Sequence, residues 1–66
     1  MLDTYLKNHN TTRYQLSKAS GITASTLQRW SEMPLDKLPV RALRVAGELV
    51  GCDAWEVLKE MQSYDA

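Results

Sequence analysis

The 66-residue sequence has few of the residues on which disulfide-bonded, metal-binding or membrane proteins depend. Its single cysteine, Cys52, excludes an intramolecular disulfide, and with only one histidine it argues against a structural zinc site. No run approaches the ~20 apolar residues of a membrane span, and the polar start Met1-Leu2-Asp3 is unlike a secretion signal. We therefore expect a protein of the bacterial cytoplasm, with no membrane partner and a purely hydrophobic core.

Catalytic machinery is also missing from the sequence. The only histidine, His9, and scattered hydroxyl groups form no nucleophile–base pair, and three glycines form no phosphate-binding loop. We expect no enzymatic activity, no cofactor and no small-molecule ligand. The length allows one domain that buries only about 60% of its unfolded surface. A second copy of the chain would help to stabilise so small a core.

The net charge is zero, which by itself argues against nucleic-acid binding. The charges are, however, unevenly distributed. Residues 1–47 contain seven Lys and Arg against three acidic residues, a net charge of +4, whereas residues 48–66 carry −4. A positive field confined to one part of the chain is typical of DNA-binding domains. The alternative is an accidental gradient on a solvated surface.

Apolar spacing and capping residues predict five helices and no strand. The expected ranges are 2–9, 12–20, 23–32, 39–50 and 53–64, with a loop over 31–38. The fourth helix has two apolar rows where a surface helix needs one. It is therefore either surrounded by neighbouring helices or in contact with a second subunit. Because Trp55 and Tyr64 in the last helix are of types enriched at interfaces, we expect a homodimer through the last two helices.

Residues 12–30, TRYQLSKASGITASTLQRW, predict two short helices joined by a tight turn. Thr12 and Gln15 have the spacing of a capping box, and Leu16 and Ala19 share one apolar face. Gly21 stands where a chain that leaves a helix often needs a positive φ.

The second helix of this unit has an apolar side and a polar side. Ile22 in the turn can fill the angle between the helices, and Thr23 can cap the second one. Leu27 and Trp30, at i and i+3, predict its buried face. The residues left outside are Ala24, Ser25, Thr26, Gln28 and Arg29. They are small or polar, which favours a helix whose outer surface contacts a partner.

The series Arg13, Leu16, Ser17, Gly21, Ile22, Leu27 and Trp30 resembles the Cro/cI-type (XRE) helix-turn-helix of phage repressors. The resemblance implies an all-α, five-helix, lambda-repressor-like DNA-binding domain over essentially the whole chain. Arg13 replaces the glutamine usual in that family. Ser31 stands where the family often has glutamate, so we expect that residue's anchoring contact to be absent or made by Glu32.

A closer likeness involves the segments LDTYLKNHNTTRYQLSKASGI, PLDKLPVRALR and VGCDAWEVLKEM. They resemble the N-terminal DNA-binding domain of phage-encoded type II-A anti-CRISPR autorepressors. The resemblance implies repression of an anti-CRISPR-type promoter, without the Cas9-inhibiting domain that follows in those proteins. Whether the chain is complete or an N-terminal fragment stays open.

In a helix-turn-helix the N-terminal part of the second helix meets the base edges in the major groove. Arg29 is the leading candidate because its guanidinium can pair with guanine O6 and N7; the alternative is a salt bridge to Glu32. Ala24 can contact a thymine methyl group and Ser25 several bases, with Gln28 alongside.

Phosphate contacts are expected around the outer face of the second helix. Thr12 and Arg13 lie at a helix N-terminus that favours an anion. Thr23 and Thr26 can contact phosphate through their hydroxyl groups. Lys37 in the loop and Arg41 either make further phosphate contacts or contact only solvent.

Together these residues predict a homodimeric repressor that binds an inverted repeat in double-stranded DNA. Half-site centres would lie about 10–10.5 bp apart, or a multiple of that. The alternative is a protein-interaction module on the same fold that does not bind DNA, such as an antitoxin-like or Cas9-contacting adaptor. Zero net charge and the short side chains of Ala24 and Ser25 favour that alternative.

Overall fold

A computed structural model describes the backbone of residues 1–65 and the side chains through Tyr64, and this part of the chain has five α-helices and no β-strand. The elements are α1 (Leu2–Asn8), α2 (Arg13–Ser20), α3 (Ala24–Glu32), a 3-10 turn (Leu35–Lys37), α4 (Val40–Val50) and α5 (Ala54–Asp65). The all-helical class and the number of helices are confirmed. In the described residues, no helix combines the length and apolar character that crossing a bilayer requires.

Threonine caps start α2 and α3, as the sequence predicts. Thr12 Oγ1 accepts a hydrogen bond from the Gln15 backbone N at 3.2 Å, and Thr23 Oγ1 accepts one from Thr26 N at 3.4 Å. Each cap satisfies one of the backbone N–H groups that a helix start leaves unpaired. The returning half of the first capping box is different, because Gln15 Oε1 accepts from Thr11 Oγ1 at 2.6 Å.

The predicted ranges of the five helices differ from the observed ones by no more than one residue at either end. Ser31 belongs to α3, as in the range predicted for that helix and not in the loop predicted over 31–38, because the helical hydrogen bonding continues to Glu32. Pro39 precedes α4 as its N-cap instead of lying within the first turn. At the start of α5, Asp53 N donates to Glu56 Oε1 at 3.1 Å, which is the returning half of a capping box.

All five α-helices contribute to one hydrophobic core. The buried side chains are Leu2, Tyr5, Leu6, Leu16, Ile22, Leu27, Trp30, Leu38, Ala42, Leu43, Ala46, Val57 and Met61. Complete burial of a leucine contributes about 1.5–3 kcal/mol, so Leu16 and Leu27 alone attach α2 and α3 firmly to this core. The predicted inward positions Leu16, Leu27 and Trp30 are confirmed.

One small apolar residue lies further out than predicted. Ala19 is exposed, because it faces a shallow surface groove beside the half-buried Val45 and Leu49 of α4. Cys52 is half-buried in the turn between α4 and α5.

The pair α4 and α5 forms the most extensive helix–helix contact, and a glycine makes the close approach possible. The Gly47 carbonyl accepts from Gly51 N at 2.7 Å and from Cys52 N at 2.8 Å, so the turn folds back onto the helix. A Cβ atom at Gly47 would lie 2.4 Å from Cys52 O and 3.1 Å from Val57 Cγ2. Only a residue without a side chain fits there.

A polar network connects the end of α1 to α5. His9 Nε2 lies 2.9 Å from Glu60 Oε1, the Tyr64 hydroxyl donates to Glu60 Oε2, and Asn8 Nδ2 donates to the Tyr64 hydroxyl at 3.0 Å. The hydrogen bond from Tyr64 lowers the pKa of Glu60, and burial raises the pKa of Tyr64. His9 therefore has a structural position at the helix end.

Candidate nucleic-acid interface

The turn between α2 and α3 has a single sharp reversal at Gly21. Its φ of +76° lies in the left-handed region that glycine adopts without strain, and its N–H donates to Ser17 O at 2.9 Å. The next residue, Ile22, is only 6% exposed and packs into the core. Both positions behave as the sequence predicts.

Two serine hydroxyls of α2 fix this turn further. Ser17 Oγ donates to Ile22 O at 2.6 Å. Ser20 Oγ donates to Leu16 O at 2.6 Å and accepts from Ile22 N at 3.2 Å. Because these bonds satisfy both polar backbone groups of Ile22, the angle at which α3 leaves α2 is well determined.

The outer face of α3 contributes nothing to the core. Ala24, Ser25, Gln28 and Arg29 are exposed, whereas Leu27 and Trp30 on the opposite face are buried.

Thr26 is half-buried, and its Oγ1 accepts from the Thr23 hydroxyl at 3.0 Å. Ser25 Oγ lies 3.3 Å from Thr23 Oγ1, so three hydroxyl groups cluster at the start of α3. Thr23 therefore holds the helix start together as well as capping it.

Arg29 has no salt bridge among the residues whose side chains are described. The two salt bridges found there are His9–Glu60 and Arg13–Asp3. The alternative expectation, a pair between Arg29 and Glu32, is therefore not met. The guanidinium on the outer face of α3 is available to a ligand.

One carboxylate links the first three helices. Asp3 Oδ1 accepts from Arg13 Nε at 3.1 Å and lies 3.0 Å from Ser31 Oγ, which is also 2.9 Å from Leu27 O. Ser31 thus contacts α1 itself, and Glu32 forms no salt bridge among the residues whose side chains are described. The Asp3 and Arg13 side chains are 56% and 43% exposed, so their pair adds little stability.

A shallow concavity lies between α2 and α3 and brings several of the predicted residues together. Its lining residues are Arg13, Tyr14, Ser17, Ala24 and Gln28. Arg13, Ala24 and Gln28 are among the predicted DNA contacts, whereas Tyr14, which is 70% exposed, was not predicted as one. A signal was present in the sequence, because Tyr14 lies outside the apolar row of α2 and has Lys18 four residues later.

The remaining predicted residues lie outside this concavity. Thr12 is exposed at the N-cap of α2. Lys37 is exposed in the 3-10 turn and Arg41 is exposed near the start of α4. Nothing in the described part of the chain brings three or more His, Cys, Asp or Glu side chains together in a way that could hold a metal ion.

Comparison with protein-family models gives no match to this chain, and comparison with curated proteins gives none either.

Proposed function

We propose that this chain is a sequence-specific DNA-binding repressor in which α2 and α3 form a helix-turn-helix. The proposal rests on the contrast between the buried and the exposed face of α3. Its inner face, Leu27 and Trp30, is buried, while Ala24, Gln28 and Arg29 on its outer face are exposed after a turn fixed by hydrogen bonds. In this class of protein the second helix enters the major groove.

Base recognition is assigned to the outer face of α3. The Arg29 guanidinium, which forms no salt bridge with the side chains that the structure describes, can donate two parallel hydrogen bonds to guanine, a contact worth about 1–3 kcal/mol of discrimination. Ala24 contacts a thymine methyl group, and Ser25 and Gln28 donate to base edges. Short side chains at the start of α3 allow its backbone to approach the bases closely.

Phosphate binding is assigned to the residues around that face. Arg13 uses Nε for Asp3, which leaves its terminal guanidinium nitrogens for a phosphate at the start of α2. Thr12 lies beside Arg13 and is assigned to the same phosphate. Thr23 and Thr26 at the start of α3 contact a second phosphate, and Lys37 makes a further backbone contact. Such contacts position the protein and carry no sequence information.

Repression follows from occupancy of a promoter by a dimer. We propose that two chains associate through α4 and α5, where Trp55 is 62% exposed, and bind an inverted repeat. In line with the resemblance to anti-CRISPR autorepressors, the proposed operator lies in a phage or anti-CRISPR-type promoter that the protein regulates itself.

The test is a binding titration on duplexes selected from a random pool, followed by fluorescence anisotropy at several salt concentrations. The wild-type protein should select an inverted repeat and bind it with strong salt dependence. Arg29→Ala should relax the base preference at one position per half-site, whereas Arg13→Ala should weaken binding to every duplex alike. Equal losses on all sequences for both variants would contradict the assigned roles.

A second candidate function, a protein-interaction module, is favoured by the exposed Trp55 on α5. Under this alternative the wild-type protein selects no duplex even at low salt, because the cations of residues 1–47 are then only solvated. The same titration therefore separates the two functions.

A further inference from the structure

Tyr14 differs from the other two tyrosines of the chain in its surroundings. Tyr5 is buried in the core, and the Tyr64 hydroxyl is hydrogen-bonded to both Glu60 and Asn8. Tyr14 is 70% exposed, and its hydroxyl has no partner among the residues whose side chains are described. Its ring lines the concavity between α2 and α3.

A cation accompanies this ring. Lys18, one helical turn later, places its Nζ 5.4 Å from the Tyr14 ring centroid, within the range of a cation–π interaction. Both side chains are exposed on α2. The pair therefore presents an O–H donor and a positive charge on a helix that also carries Arg13.

We propose that Tyr14 and Lys18 form a joint contact to the DNA phosphate backbone, with the Tyr14 hydroxyl as hydrogen-bond donor and Lys18 as the charge. This inference rests on the proposed function and adds to it a pair of residues outside the predicted set. The first helix of a helix-turn-helix crosses the backbone beside the groove that the second helix enters. Tyrosine hydroxyls are among the groups that donate to phosphate oxygens in protein–DNA complexes.

Charge favours duplex DNA as the occupant of this surface. Arg13 and Lys18 both lie on α2, whose eight residues include no acidic side chain. An apolar partner would leave the Tyr14 hydroxyl and the Lys18 ammonium unsatisfied, whereas a phosphate satisfies both.

The two residues should affect binding in different ways. Tyr14→Phe keeps the ring and its interaction with Lys18 but removes the donor, so affinity should fall about three- to tenfold on every duplex. The salt dependence should not change, since no charge is lost. Lys18→Gln should reduce the slope of log K against log salt by about 0.9 for each Lys18 in the complex.

Helix α5 provides a matched control, because Lys59 Nζ lies 5.9 Å from the Trp55 ring centroid at the same i, i+4 spacing. Lys59→Gln removes the same charge as Lys18→Gln and should leave the slope unchanged. Since α5 belongs to the proposed dimer interface, the molar mass of each variant is measured by sedimentation, and circular dichroism confirms that each is folded.

The outcomes separate this inference from the proposed function. If the wild-type protein binds DNA while Tyr14→Phe binds equally well, or Lys18→Gln and Lys59→Gln change the slope equally, the Tyr14–Lys18 contact is refuted and the repressor assignment stands. If the wild-type protein binds no duplex at low salt, both are refuted. A sequence-independent loss in Tyr14→Phe together with a reduced slope in Lys18→Gln alone supports the contact.

Discussion

Replacement of Gly47 by alanine is the most direct test of how α4 and α5 are joined. In an ordinary helix interior, this change stabilises by about 1 kcal/mol, because alanine is the better helix former. Here the new methyl group would lie 2.4 Å from Cys52 O. Ordinary contact between a carbon and an oxygen requires about 3.3 Å, so the turn would have to retreat by roughly 1 Å.

The turn cannot retreat freely, since Gly51 N and Cys52 N both donate to the Gly47 carbonyl. Overpacking of this kind costs about 1–3 kcal/mol. A weakened backbone hydrogen bond adds about 1 kcal/mol, which offsets the gain in helix propensity. We expect Gly47→Ala to lower the free energy of unfolding by about 1–3 kcal/mol, and Tm by about 4–8 °C for each of these kcal/mol.

The assay is urea denaturation followed by tryptophan fluorescence and circular dichroism. Gly51→Asn is the control, because no atom beyond the neighbouring residues lies within 4 Å of a Cβ there and asparagine is found at positive φ in such caps, here +86°. The control should lose much less stability than Gly47→Ala at an unchanged m-value. If Gly47→Ala is as stable as the wild type or more so, the described packing of the turn against α4 is wrong.

Two further predictions concern the polar groups that connect the helices. Asp3→Asn removes a carboxylate charge that repels the phosphate proposed at Arg13, so DNA affinity should rise about two- to fivefold while stability falls by about 1 kcal/mol or less; weaker binding by the folded variant would mean that Asp3 orients Arg13 instead. The hydrogen bond from Tyr64 holds the pKa of Glu60 below its usual 4.5, so the stability it contributes is present above pH 4.5 and lost as the pH falls through the lower folded value. Urea denaturation between pH 7 and 3 should therefore show a smaller acid-induced loss for Glu60→Gln than for the wild type, and equal losses would contradict the coupling.

Local rules were sufficient for much of the fold. The caps at Thr12 and Thr23 and the positive φ at Gly21 depend on residues within four positions of each other, so the sequence predicts them directly. The buried face of α3 follows in the same way from the spacing of Leu27 and Trp30.

Contacts between distant residues could not be predicted in that way. Ser31 and Asp3 are 28 positions apart, and His9 and Glu60 are 51 apart. Their meeting depends on how α1 is placed against α3 and α5, which no local pattern encodes. Ala19 was misplaced for a related reason, since its burial depends on how closely α4 approaches α2.

The candidate site, too, could be predicted only where local features determine it. The outward positions of α3 follow from helical periodicity, but the concavity that joins Arg13 to Ala24 and Gln28 depends on the angle between two helices. The exposure of Tyr14 was predictable from its position outside the apolar row of α2, but its place in the concavity depends on that same angle.

The hydroxyl groups of Ser17 and Ser20 have a consequence for how such a chain could diversify. They bond to backbone atoms of Leu16 and Ile22, so the angle between α2 and α3 does not depend on which side chains occupy positions 24, 25, 28 and 29. Substitutions at those four positions should therefore leave unfolding nearly unaffected. Under the proposed function, lineages of this protein could acquire new operators in a few mutational steps while retaining the same scaffold.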